Sequence, residues 1–278
     1  MHLRPKSLDE AMAFLSEERA VVMAGGTDLY PAFVDRPPPA RILDITAISG
    51  LRGIVREADH WRIGGATTWT DIARASLPPA FHALKAAARE IGSLQIQNRA
   101  TIAGNLCNAS PAADSVPPLL ALDASVELAS ASGTRTLPLA DFIKGNRRTE
   151  KRPDELLTAV LIPGIAEQAR SVFLKLGARR YLVISIVMVA ANILRTADGR
   201  IAHARVAVGS ASAVATRLAN LEAALASAPA HTPAGSVVAE AHLAPLAPID
   251  DVRASGAYRR DAALTLVRRA LAEADGDA

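Results

Sequence analysis

The chain has 278 residues, half of them apolar, 4% aromatic and 21% charged, which is the composition of a globular protein with ample core rather than of a disordered or fibrous one. Its 31 Lys and Arg stand against 28 Asp and Glu for a net charge of +3, and the arginine pairs Arg147–Arg148, Arg179–Arg180, Arg259–Arg260 and Arg268–Arg269 lie far apart with few aromatics beside them, which argues against a nucleic-acid surface. A single cysteine, Cys107, excludes an intrachain disulfide and any iron–sulfur cluster or multi-thiolate zinc site built by this chain alone, and points to the cytoplasm.

Ser7 and Glu10 have capping-box spacing, and Leu8, Ala11, Met12 and Leu15 then fall on one face of a short helix. The apolar run at 11–15 is too short for a secretory signal. Residues 20–24 read as a strand ending at Gly25 and Gly26. After a loop containing Pro37, Pro38 and Pro39, residues 41–45 read as another strand, giving a βαβ-like opening unit. From about residue 54 the pattern becomes a strand at 61–66, a helix from Thr70, a longer helix at 81–91 before Gly92, and strands at 125–129, 134–139 and 157–162. Beyond Pro163 and Gly164 the texture shifts, which places a boundary near residue 165. Strands follow at 171–176, 183–194 and 204–208, then alanine-rich helical segments. A final helix from about Ala257 puts Leu264, Val267 and Leu271 on one face and arginines elsewhere.

The longest apolar stretch, 181–194, is shorter than the roughly 20 residues that span a bilayer. Its Val183, Ile184, Ile186, Val187 and Val189 favour a strand buried on both faces, although periodicity alone is equally compatible with helix. The length suits two compact units, or one large domain with an appendage.

Two segments carry chemistry. Val22, Met23, Ala24, Gly25, Gly26, Thr27, Asp28 and Leu29 form a strand running into a tight glycine turn, where successive N–H groups can point inward at a phosphate or pyrophosphate. The same pattern also suits a plain turn with an Asp cap. The second segment runs from Thr101, Ile102, Ala103, Gly104 and Asn105 to Asp114 and is dense in Asn and Ser, which suits a ligand with several hydroxyls. A structural reading stands beside it, with Ser110 capping a helix, Pro111 at its first position and Asp114 complementing its dipole. Neither segment is a G-x-G-x-x-G or G-x-x-x-x-G-K-[ST] motif. Two such loops far apart in sequence would instead suit one long ligand held extended between two units. His2, His60, His82, His203, His231 and His242 form no metal-ligand spacing, and no nucleophile motif is present.

AGGTDL at 24–29 and TIAGNLCNASPAAD at 101–114 together resemble the FAD-binding signature of the molybdenum hydroxylase flavoproteins, the group containing the flavin subunits of carbon monoxide dehydrogenase and xanthine dehydrogenase. IGGATTWTDIA at 63–73, PPLLALDASVEL at 117–128, FLKLGARRYLVISIVMVAANI at 173–193 and APIDDVRASGAYRRDAALTLVRRAL at 247–271 continue the resemblance in the same order.

The resemblance implies an α+β chain. An FAD-binding fold of the vanillyl-alcohol-oxidase/p-cresol-methylhydroxylase type spans 1–165, in two α/β subdomains of about 1–53 and 54–165, and a C-terminal domain of antiparallel sheet and helices spans 166–278. It implies that residues 22–29 wrap the FAD pyrophosphate with backbone N–H groups and that 101–105 form a second cradle, so that a bulky residue at Gly26 would intrude on the cofactor. Asp114 would lie near the ribitol and adenosine part, and Leu157 and Lys175 would line the isoalloxazine ring. There Lys175 would place a positive charge, with a solvated strand lysine as the equal alternative. Ile91 stands where the xanthine dehydrogenases carry an aromatic residue packed on the flavin. The extra cluster-bearing loop of the 4-hydroxybenzoyl-CoA reductases is missing, and Cys107 reads as a small buried residue.

The partners implied are a large molybdenum-cofactor subunit and a small subunit with [2Fe–2S] centres, with NAD or another acceptor downstream and no nucleic acid or membrane span. A stand-alone flavin-dependent oxidase is the alternative, and a scaffold protein that has lost FAD is a third reading.

Overall fold

The hydroxyl of Ser7 accepts the Glu10 amide at 3.2 Å while the Glu10 carboxylate reaches back to the Lys6 amide at 3.1 Å, so the chain turns into a helix at the expected place. The computed structural model describes residues 1–17, 19–35, 37–164 and 167–276. Its first unit is β1 (His2–Leu3), α1 (Leu8–Glu17), β2 (Val21–Met23) and β3 (Ile42–Asp44). These strands form a three-stranded parallel sheet in the order β1-β3-β2. Ala11, Met12 and Leu15 of α1 are buried with Leu43 and Ile45 in a small core that Ala66, Ala129 and Leu156 from further along the chain complete.

The second unit contains β4 (Ile54–Arg56), β5 (His60–Gly64), α2 (Trp69–Arg74), α3 (His82–Glu90), α4 (Leu94–Gln97), α5 (Ile102–Asn108), α6 (Val116–Ala121), β6 (Ser125–Ser130), β7 (Gly133–Pro138), α7 (Leu139–Phe142), β8 (Ile143–Gly145), β9 (Arg148–Thr149) and β10 (Leu156–Pro163). Five strands make an antiparallel sheet, β4-β5-β10-β6-β7, and β8 and β9 form a separate hairpin. β10 is central and buried along most of its length. Trp69, Ile72, Phe81, Leu84 and Leu106 from the helices pack with Val126, Leu128 and Val160 of the sheet.

The expected boundary at 165/166 falls on residues outside those described. Beyond it, β11 (Arg170–Leu176), β12 (Val187–Arg195), β13 (Ile201–Gly209) and β14 (Thr216–Arg217) form a four-stranded antiparallel sheet, followed by α8 (Ala219–Ser227) and α9 (Gly256–Asp275). One face of this sheet, with Val187, Val189, Val206 and Val208, packs on α8 and α9. The other packs on α3 and α6 of the second unit. Alternation decides the split, because Ala207 joins the core of the second unit while Val206 and Val208 join that of the C-terminal one.

Three sequence readings change. β12 begins at Val187, not at 183, because Ser185 is drawn away to a buried carboxylate and Leu182 takes a left-handed φ of 53°. Ser110 caps no helix. Its hydroxyl accepts the Ala112 amide at 3.2 Å within a turn, and α6 starts only at Val116. Arg259 does not stay on the solvent face of α9 but is buried, donating to the Ile186 and Ser210 carbonyls at 2.6 and 3.0 Å and to Asp251 at 2.7 Å. The guanidinium thereby ties the start of α9 to the entry of β12.

Asp251 also accepts the Arg253 and Ala254 amides, and these bonds, the Arg253 amide foremost, hold its carboxyl down at about 2. An unfolded aspartate titrates near ~3.9. The folded state therefore gains from this carboxylate above that pH and loses the gain as the pH falls toward about 2. Thermal melts should show Asp251→Asn melting below wild type at about pH 5 and converging with it near pH 2; a gap that stays constant over that window would contradict the assignment.

Candidate functional site

β2 delivers the chain to Ala24, Gly25 and Gly26, and two different constraints require the glycines. A Cβ on Gly25 would lie 2.1 Å from the Arg99 carbonyl oxygen and 2.8 Å from Ala100 Cα, so the first loop can sit against the backbone leading into α5 only without a side chain. Gly26 has φ +75°, and a Cβ there would meet the Tyr30 ring at 2.9 Å. Its carbonyl accepts the Tyr30 amide at 3.1 Å and closes the turn. Among the described residues, the amides of 25–29 have no acceptor in the protein. They form the N–H-bearing surface that an oxyanion needs. At Gly26 a side chain is opposed within the protein itself, by backbone strain and by the Tyr30 ring.

The second segment is built differently from a cradle. Thr101 caps α5, its hydroxyl accepting the Gly104 amide at 3.1 Å and its carbonyl the Asn105 amide at 3.0 Å. The Ile102 and Ala103 amides go to the Thr67 and Gly65 carbonyls, both at 3.0 Å. All four amides are thus consumed inside the protein, and α5 offers a ligand its flank instead. That flank is the bare Cα of Gly104, whose only close neighbour for an added Cβ is Thr101 Oγ1 at 3.1 Å, together with Asn105 and Asn108. Asn105 Oδ1 is taken by the Ser115 hydroxyl at 2.6 Å, which aims its amide nitrogen elsewhere.

Between the two segments lies a cavity of about 900 Å³, at the upper end of the range for small-molecule sites. Val22, Met23, Ala24, Gly25, Gly26, Thr27, Asp28 and Leu29 line it, as do Ile91, Thr101, Ala103, Gly104, Asn105, Asp114 and Leu157. Ile102 does not, being fully buried in the core beneath, and neither does Lys175. Asn108 and Ser110 of the second segment are on the wall as well, and residues that the sequence did not place at the site also face the cavity: Glu90, Arg147 and Lys151, and the stretch Leu182, Val183 and Ile184. The β8–β9 hairpin brings Arg147, and Lys151 follows it. No local motif announces either. Cys107 is on the wall too, and burial pushes its thiol up to about 11, so it stays protonated and unreactive near neutral pH.

Lys175 is neither a solvated strand lysine nor part of the wall. On β11, Val172, Leu174 and Leu176 pack toward the C-terminal core, so Lys175 points the other way and donates to Asp114 Oδ2 at 2.6 Å, with both side chains buried. Ser185 donates to Asp114 Oδ1, also at 2.6 Å. Burial is the strongest influence on Asp114 and raises its pKa above the usual carboxylate value, against the pull of Lys175 and Ser185. The positive charge expected near a flavin ring is therefore spent on a neighbouring carboxylate. The trio pins the end of the second segment to the C-terminal sheet.

Free amides on one loop, a side-chain-free flank on the other and a cavity of about 900 Å³ between them fit a large ligand with a phosphate-bearing part. Residues 2–165 match the family model for the FAD binding domain in molybdopterin dehydrogenase, and residues 173–274 match that for the CO dehydrogenase flavoprotein C-terminal domain. The chain belongs to the FAD-binding subunits of the molybdopterin dehydrogenases. It is 33% identical over 276 residues to a xanthine dehydrogenase FAD-binding subunit of Escherichia coli O157:H7, covering 98% of this chain and 94% of that one. A nicotinate dehydrogenase FAD-subunit of Eubacterium barkeri is 38% identical over 191 residues, a match that spans 66% of this chain and 64% of the relative. Among solved structures, reconstituted CO dehydrogenase from Oligotropha carboxidovorans superimposes with a TM-score of 0.87 at 28% identity, covering the whole of this chain and 98% of that one. As a member of this family the chain is an oxidoreductase subunit whose cofactor is FAD. Among the described residues, no helix of this FAD-binding subunit is long and apolar enough to cross a membrane.

Two substitutions test the site. Gly104→Leu puts a side chain on the cavity wall with its Cβ 3.1 Å from Thr101 Oγ1, a tight contact that the Thr101 cap has to relax; because Leu outranks Gly as a helix former by about 0.8 kcal/mol, the apo chain should melt close to wild type. The flavin-to-protein ratio after gel filtration should nonetheless fall close to zero, and full retention would contradict the assigned flank. At the buried pair, Asp114→Ala strands the Lys175 ammonium and should cost roughly 3–5 kcal/mol in urea unfolding of the apo chain. The double variant Asp114→Leu/Lys175→Met should recover much of that loss, and a double variant as unstable as the sum of the singles would show that the two do not act as a pair.

Proposed function

We propose that the chain is the electron-transfer subunit of a heterotrimeric-type molybdenum hydroxylase, receiving electrons from the [2Fe–2S] clusters of a small partner subunit that a large molybdenum-cofactor subunit feeds, and delivering them to NAD or another acceptor. Bound FAD supplies the exchange between one-electron and two-electron chemistry. The observation that carries the reading is the make-up of the cavity wall. It offers free amides, apolar surface and amide side chains, with Asp28, Glu90, Arg147 and Lys151 as its remaining charged groups. No histidine is on it among the described residues, the Cys107 thiol is held protonated and Asp114 is tied to Lys175 and Ser185. Such a wall binds and orients a cofactor, and little in it works on a substrate.

Within this reading, the portion 1–165 holds the cofactor and the portion 166–278 closes over it. The amides of 25–29 would hold the pyrophosphate, and the flank of Gly104 would let the ligand approach closely. Ile91 and Leu157 would offer apolar surface to the ring system, and Asn105 and Asn108 would meet its hydroxyls. One cysteine in the chain means that the clusters belong to a partner, so reduction takes place across a protein interface. The names of relatives agree with such an assembly: one is a carbon monoxide dehydrogenase medium chain, and one solved structure is of a Cu,Mo-CO dehydrogenase. A cytoplasmic location goes with this reading.

Stopped-flow bleaching of the flavin band tests it. The isolated FAD-loaded chain should not be reduced by aldehydes, purines or aromatic heterocycles. The same chain should be bleached by the right substrate once the cluster and molybdenum subunits are added. Rapid bleaching of the isolated chain by substrate would overturn the electron-transfer reading in favour of a stand-alone flavin oxidase.

A further inference from the structure

The cavity wall carries three carboxylates, Asp28, Glu90 and Asp114, and, among the described residues, two cations, Arg147 and Lys151. Asp114 is already balanced by Lys175, which stands behind the wall. Lys151 donates to the Arg152 and Glu155 carbonyls at 2.9 and 3.0 Å, which fixes the ammonium and leaves one of its three protons free. Arg147 differs from both. Its guanidinium has no hydrogen bond or ion pair among the described residues, and the side chain is exposed.

The backbone under Arg147 is unusual as well. It sits at the tip between β8 and β9 with φ +55°, in the left-handed region, which opposes a long L side chain. Asn146, of the residue type that tolerates this region best, is its immediate neighbour, yet the arginine occupies the strained position. Strain of this kind is kept only where the surrounding structure holds it, and such positions cluster at binding sites. The hairpin reaches the cavity beside α5, and the left-handed tip sets an unpaired guanidinium on a wall whose other free charges are mostly negative.

We propose that Arg147, backed by Lys151, is a binding residue for the phosphate-bearing part of a dinucleotide in this cavity. Without it the unbalanced wall charges, Asp28 and Glu90 against Lys151, would oppose a dianionic pyrophosphate. With it the wall is neutral before the ligand enters. Two dinucleotides share this chemistry: the FAD cofactor itself, and a pyridine dinucleotide acceptor arriving at the loaded chain. The second rests on the electron-transfer reading above.

The decisive variant is Arg147→Asn, which removes the cation and leaves a residue suited to the left-handed tip, so the apo chain should melt at or above the wild-type temperature. Arg147→Lys keeps the charge. FAD is titrated into each apo chain at low and high salt, and NADH into each FAD-loaded chain. For the cofactor arm, Arg147→Asn should weaken FAD binding roughly tenfold at low salt, lose much of the wild-type salt dependence and be largely rescued in Arg147→Lys. For the acceptor arm, FAD affinity should stay unchanged while NADH binding shows the same pattern. Wild-type-like affinity and salt dependence for FAD, with NADH binding unchanged or undetectable in both chains, would overturn the proposal. Because wild-type FAD binding and flavin reduction by the partner subunits are measured separately, that result would leave the electron-transfer reading standing.

Discussion

The contact between the Gly25 Cα and the Arg99 carbonyl is the constraint on which the cavity depends. The two backbones approach so closely that a single methyl group would be 2.1 Å from an oxygen atom, so the turn after β2 can lie alongside the entry to α5 only because it has no side chain. Elsewhere the parallel and antiparallel units meet through side chains and backbone alike, α1 packing on β6 and the Ala66 amide reaching the Leu51 carbonyl at 2.7 Å, but at Gly25 the approach borders the cavity. The amides of 25–29 stay free on the cavity wall because neither sheet extends far enough to claim them.

The C-terminal domain completes the site from a distance. Its sheet faces α3 and α6 with one side and α8 and α9 with the other, and the Asp114, Lys175 and Ser185 trio crosses the seam between domains. Burying a carboxylate and an ammonium together is seldom a net gain in stability, and losing either partner is costly. Here the pair fixes the register between the second segment and the stretch 182–184, which also borders the cavity. The shape of the cavity is set by this ion pair as much as by the glycines.

Sequence periodicity showed most of the elements because their apolar faces have solid backing. The 3.6-residue pattern of α9 and the β-branched run of β12 each match a buried surface. What could not be read depended on partners far away in the chain. α5 was hidden because Gly104, Asn105, Cys107 and Asn108 are poor helix formers, and it is held by Thr67 and Gly65 carbonyls from another segment. β1 has two residues and exists only as a companion of β3. The sequence leaves Lys175 open between a ring neighbour and a solvated strand lysine, because nothing local indicates that Asp114 lies opposite it. Arg147 and Lys151 reach the wall through a hairpin whose position is a property of the whole fold.

The sheet around β12 has a consequence for biosynthesis. Its strand reads Val187, Met188, Val189, Ala190, Ala191, Asn192, Ile193 and Leu194, low in charge, free of proline and buried on both faces, a composition that pairs readily with other chains when left uncovered. The helix that covers one of those faces, α9, comes much later in the sequence than the strands it protects. A nascent chain therefore leaves the ribosome with β12 and β13 formed or forming and their outer face still bare. In that interval a ribosome-associated chaperone, or slow local translation, governs yield more than the stability of the finished protein does.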